Sequence, residues 1–433
     1  MTRSRLRPCR ARAQAVVAAV SLIVAGCGST TPSLPPSASA PPSSPPSVVA
    51  PSAAPTPSQS ADEIYNAIER QVVAIRGLKA VDVKRQTIDE AALRTLSLED
   101  FDKDNPPDYV AANGRLYQAL GLLPPDGDIR ALYLDLIAAS AQGFYRPAAK
   151  TLFIVSRSGA INGNDKFTFA HEYDHALQDA NFTIFQNQAA LLDQSDRAMA
   201  RAGLYEGDAT LLMTQWAIAN LDPAGVQDII AAADDPALAA VMARTPKVIV
   251  ENLTFPYQSG LMFVQGRFAS GSWPAVDKVY ASPPLSTEQV LHPEKYDAGE
   301  APVAVTIPAR LAGDLGKGWK VALQDTFGEF QFGVWLREGG VEPTAATAAA
   351  AGWGGDRLAV LDGPGGASAV IMKTAWDSPA DAQAFETAAG TALRKAGGTG
   401  GAFIGAGGTT RWIVIGSDAT VFERVANALG LAG

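Results

Sequence analysis

Residues 167–182 read FTFAHEYDHALQDANF, and within them His171, Glu172 and His175 form the pattern H-E-x-x-H. The polar loop before this stretch leads into a predicted helix over about 165–180, with Asn164 or Asp165 as its N-cap. Two helix positions four apart lie on one face, one turn apart, so two imidazoles there can meet one ion at about 2.0–2.1 Å. Glu172 follows the first histidine and can point beside that ion. There it can take a proton from water, whose pKa zinc lowers to about 7. The chain has only three histidines, and two of them make this pair. The plainer reading is an amphipathic helix with incidental histidines, or a degenerate site.

A catalytic zinc takes three protein ligands and keeps one position open. No histidine follows His175 until His292, so a carboxylate is the expected third ligand. Residues 201–213 read RAGLYEGDATLLM and carry Glu206 and Asp208 in an otherwise apolar run. A charge on a buried face is costly unless it is paired or bound to metal. Glu206 lies far enough past His175 for a helix end, a loop and a returning helix. One Zn2+ per chain on His171, His175 and Glu206 is the expectation, against a merely solvated Glu206.

FAHEYDHALQD followed by LYEGDAT resembles the gluzincin class of metallopeptidases. It is especially similar to a bacterial group of zinc peptidases that pair H-E-x-x-H-A-L-Q-D with a later E-G-D-A. Gly143-Phe144-Tyr145, Phe255-Pro256-Tyr257, PPLSTEQVLHPEKY (283–296) and GWGGDRL (352–358) extend the likeness over residues 61–433. The resemblance implies a zincin-like fold, peptide-bond hydrolysis and Glu206 as third ligand. Better-known gluzincins carry an aspartate four residues after that glutamate, where this chain has Thr210. Asp208 and Asp179 are therefore the candidates to accept the second ring N–H of the ligand histidines. His292 and Tyr257 are candidates to stabilise an oxyanion, with packing or surface roles as the alternative. An edge strand before the zinc helix pairs with substrate in the class, which points to residues 151–155.

The rest of the chain sets the context. Residues 1–14 are basic, 15–26 (AVVAAVSLIVAG) are apolar but too short to span a bilayer, and Val24-Ala25-Gly26-Cys27 resembles a lipobox. The expectation is a signal peptide over 1–26, lipid on Cys27, and an outer-face, membrane-anchored protein. Residues 27–60 are mostly Pro, Ser and Ala and read as an extended tether. Both cysteines, Cys9 and Cys27, precede it, so the body has no thiolate chemistry and no disulfide framework. The chain carries 35 basic and 44 acidic residues, and five of the arginines fall before residue 27. So acidic a body argues against nucleic acid as a partner.

The fold class is α+β. Residues 61–304 are expected to form a mostly helical domain with a small sheet. Residues 305–433 are expected to form a smaller α+β domain of short strands, Ala-rich helices and Gly-rich turns. Predicted helices cover 61–78 and 195–220, predicted strands 80–88, 151–155, 357–361, 368–374 and 411–415. Two rival functions fit the same residues: a lipid-anchored binding protein with a structural or vestigial zinc site, and a zinc hydrolase of non-peptide amides or esters. The substrate class expected is a peptide or protein; the oligomeric state is not legible.

Overall fold

The structure, a computed structural model, describes residues 59–155, 159–185, 191–397, 402–405 and 407–431. The expected signal peptide, Cys27 and most of the expected tether lie outside these residues. Helix α1 (Ala61–Arg76) starts at a capping box made by Ser60 and Glu63 and buries Tyr65, Ile68, Val72 and Arg76. The stripe is apolar at helical spacing until its last member, which is an arginine. Strand β1 (Lys84–Ile88) follows, then helices α2 (Glu90–Asp104), α3 (Pro107–Ala119) and α4 (Ile129–Ser140). Asn105-Pro106-Pro107 and the Pro124–Gly127 turn break the helices.

Strands β2 (Gly143–Arg146) and β3 (Thr151–Val155) form an antiparallel hairpin, and β1 pairs in parallel with β3 on its other side. The order is β1-β3-β2, so β3 is central. This corrects the expectation of an edge strand at 151–155. All five β3 residues are buried, as a continuous apolar run covered on both sides should be. The free edge next to the following helix is β2.

Helix α5 (Gly163–Phe182) runs through the middle of the first core, capped by Asn162 in a box with Asp165, two residues before the first predicted cap. Helix α6 (Ser195–Asn220) returns beside it, followed by α7 (Pro223–Ala233), α8 (Pro236–Arg244) and the long α9 (Lys247–Ala281), which kinks at Gly271–Ser272. Helices α6 and α9 cross at backbone contact distance. A Cβ on Gly207 would run into the Gly260 carbonyl, and one on Gly260 into the Gly203 carbonyl. Only glycine permits that approach.

Short helices α10 (Thr287–Leu291), α11 (Pro293–Ala298) and α12 (Leu311–Asp314) lead to a second sheet. It holds β4 (Lys320–Asp325), β5 (Trp353–Asp362), β6 (Ser368–Trp376), β7 (Ala402–Gly405) and β8 (Thr410–Gly416) in the antiparallel order β4-β5-β6-β8-β7. Helices α13 (Gly328–Glu338), α14 (Pro343–Ala350) and α15 (Pro379–Ala396) lie on one face, and α12 and α16 (Ala419–Ala428) on the other. The first face is not closed by the C-terminal residues alone. Ala112, Leu116, Leu120 and Leu136 of α3, α4 and their loop, with Val248 and Ile249 of α9, share one buried cluster with Phe332, Trp335, Met372 and Phe385. This core therefore crosses the boundary expected at 304/305. The molecule is mixed α and β, mostly helical with two small sheets.

Candidate metal centre

The α5 spacing sets His171 and His175 on one face, with ring centroids 4.6 Å apart and the rings nearly perpendicular. Their Nε2 atoms are 3.1 Å apart. Glu206 of α6 brings Oε2 to 3.1 Å from His171 Nε2 and 3.3 Å from His175 Nε2. Three donors at about 2.0–2.1 Å from a tetrahedral zinc would sit about 3.3 Å from one another. The triangle thus fits such an ion. In their ordinary states the three atoms are all electron-pair donors, so a cation, proton or metal, belongs among them. Burial lowers the affinity of His175 for a proton, but the Glu206 carboxylate outweighs this and lifts its pKa to about 10. Burial raises the pKa of Glu206, yet the two histidines hold it below the usual carboxylate range.

Glu172 is buried beside the triangle, and burial raises its pKa against the pull of both histidines. Its carboxylate accepts the backbone N–H of Tyr145 on β2. Val155 N–H is donated to Gln142 O, so by alternation Phe144 and Arg146 share the ladder with β3. Gly143 and Tyr145 turn their backbone groups outward. Tyr257 of α9 lies over His171, with ring centroids 6.0 Å apart, and its hydroxyl donates to Glu206. Burial and the Glu206 and Glu172 charges push the phenol well above its usual pKa. The glycine crossing of α6 and α9 holds this pair together, since Glu206 sits between Gly203 and Gly207 and Tyr257 one turn before Gly260.

The structure places the other candidates elsewhere. Asp179 accepts from the Tyr145 hydroxyl at 3.2 Å. Asp208 is fully buried and takes a two-pronged bond from Arg76, at 3.0 and 2.9 Å, plus the Tyr280 hydroxyl at 2.6 Å. Neither carboxylate bonds a histidine ring: Asp179 is drawn to the hairpin and Asp208 to the buried guanidinium. The acceptor on His175 is Gln178, whose Oε1 is 3.2 Å from Nδ1. Thr210 Oγ1 and His171 Nδ1 are buried without a hydrogen-bond partner among the described residues. His292 is held by Glu329 of α13 at 2.8 Å, which raises its pKa, rather than by any member of the triangle. Glu288, Glu300 and Asp377 also converge, but the Lys295 ammonium sits among them at 2.6, 3.0 and 2.7 Å.

Gln178, Asp174 and Arg76 escape a reading of the sequence. Gln178 Nε2 donates to Asp174 Oδ2 at 2.8 Å and to the Tyr205 carbonyl at 3.0 Å. Asp174 lies 4.0 Å from the Arg76 guanidinium, which also reaches Asp277 at 2.7 Å and lies over Trp273. Burial, then the Asp208 charge, raise Asp174 to about 8. Polar residues all round a helix as buried as α5 were the available signal.

A family model described as a domain of unknown function (DUF8575) matches residues 320–428, the C-terminal sheet and the helices on it. No curated protein and no solved structure matches the chain.

Proposed function

We propose that the chain is a zinc-dependent peptidase of zincin-like fold, held at the outer face of a bacterial membrane by lipid on Cys27. The observation that carries this reading is the triangle of His171 Nε2, His175 Nε2 and Glu206 Oε2 at 3.1–3.3 Å, with Glu172 buried alongside. Zinc held there supplies Lewis acidity, polarising a carbonyl and acidifying water. Glu172, made more basic by burial, takes a proton from the attacking water on its carboxylate and passes it to the leaving amine. The Tyr257 hydroxyl, which donates to Glu206 when no metal is bound, would be released once Glu206 binds the ion and would then donate to the oxygen on which charge develops. The outward N–H and C=O of Gly143 and the C=O of Tyr145 offer an extended peptide a strand edge to pair with, next to the Tyr145 N–H held by Glu172.

A structural zinc is closed by a fourth protein ligand. The two candidates for that place are engaged elsewhere, Asp208 with Arg76 and His292 with Glu329. A buried Glu172 at the site also has no use in a structural centre. Both points favour the enzyme. The test is metal content of the purified chain by elemental analysis. We expect about one zinc per chain, lost in Glu206→Ala and kept in Glu172→Gln, which should be inactive on a casein digest assay. A wild-type chain that takes up no zinc after reconstitution sinks the reading.

A further inference from the structure

We propose that Gln178 is the positioning residue of the metal centre: it fixes the tautomer of His175 and indexes the α5 histidines against Glu206 on α6. The inference rests on the metal-centre reading above. Its first support is that the orientation of the Gln178 amide is decided by its neighbours. Nε2 faces two acceptors, the Asp174 carboxylate at 2.8 Å and the Tyr205 carbonyl at 3.0 Å. A flipped amide would set oxygen against the Tyr205 oxygen. Oε1 must therefore be the atom turned to His175 Nδ1 at 3.2 Å. An acceptor at that place requires a proton on Nδ1, which leaves the Nε2 lone pair directed at the triangle. Gln178 is fully buried, so water cannot substitute for it.

The second support is connectivity. Tyr205 precedes Glu206 in the chain, so a single amide joins a ligand on one helix to the neighbour of a ligand on the other. Asp174 is in turn held near Arg76, whose guanidinium is locked by Asp208 on α6. The two ligand histidines are thus held unequally. His175 is tied into a buried network spanning three helices, whereas His171 Nδ1 has no partner among the described residues. A carboxamide also brings no charge of its own to Nδ1, where a carboxylate in the same place would add a second negative charge beside Glu206.

The experiment uses the full chain, stripped with a chelator, and measures zinc affinity by competition with a chromophoric chelator and the visible spectrum of the cobalt(II) form. Gln178→Met keeps the volume and removes the acceptor. Tyr280→Phe removes a bond from the Asp208 end of the same network and leaves Gln178 untouched. We expect Gln178→Met to bind zinc about 10–100-fold more weakly and to shift the cobalt spectrum. Tyr280→Phe should lose stability but keep wild-type affinity and spectrum. If Gln178→Met does not fold, Gln178→Asn, one methylene too short to reach, carries the same expectation. Wild-type affinity and spectrum in the Met or Asn variant overturn the positioning role while leaving the metal centre standing. A wild-type chain that binds neither zinc nor cobalt overturns both.

Discussion

At the scale of single residues the candidate site divides by how its members are encoded. His171, Glu172 and His175 are legible because helical spacing ties their chemistry to fixed offsets, and Glu206 because it is an acid in an apolar run. Gln178 and Arg76 carry no such mark; an amide or a guanidinium in a helix is usually solvated, and only the tertiary structure shows them sealed. Tyr257 lies between these cases, a candidate by resemblance whose contact with Glu206 depends on a helix crossing. Tyr257→Phe should retain zinc and lower kcat by about 100-fold or more with little change in KM, as loss of an oxyanion donor does. Steady-state kinetics on any substrate found would check this; an unchanged kcat would remove Tyr257 from the chemistry. His292→Asn should keep full zinc content, since its partner is Glu329. Zinc lost in that variant would mean the imidazole serves the metal after all.

Among the elements, α6 appears at the bounds the sequence predicts, whereas α9, the longest helix described, has no counterpart in the sequence reading. Pro256, Pro274 and Gly260, Gly266 and Gly271 punctuate it as if it were loop. Pro256 is tolerated inside it, and the bend falls at Gly271–Ser272. Gly260 serves the crossing with α6. The crossing makes an asymmetric prediction. Gly207→Ala and Gly260→Ala force a methyl onto a carbonyl and should cost about 1–3 kcal/mol, with weaker zinc retention as Glu206 and Tyr257 separate. Gly203→Ala meets its nearest atom at 3.6 Å and should be neutral or stabilising. Chemical denaturation of the three variants checks the order; Gly207→Ala and Gly260→Ala as stable as Gly203→Ala would mean that helix propensity, not the close approach, sets the effect.

Over the whole molecule, the α+β class is legible but the division at 304/305 is not. The second core recruits α3, α4 and the start of α9, and such long-range sharing leaves no local trace. Residues 61–304 made alone should therefore expose α3 and α4, bind a hydrophobic dye and aggregate; a soluble, cooperatively melting fragment would show two independent units. The junction also sets a pH dependence. Burial pushes Asp325 and Asp356 up to about 6, and Glu288 to about 7 against the pull of Lys295. Each binds a proton on folding, so its contribution is complete below the ordinary carboxylate pKa near 4 and is lost as pH climbs through 6–7. The melting temperature should fall between pH 5 and 8 by calorimetry; a flat profile would contradict it. The shared core has a further consequence in time. Leu116 and Leu136 leave the ribosome long before Met372 and Ile415, with which they are buried. At typical elongation rates that interval is on the order of half a minute. For at least that long the apolar faces of α3 and α4 lack part of their partner surface, which makes the emerging chain a client for holding chaperones.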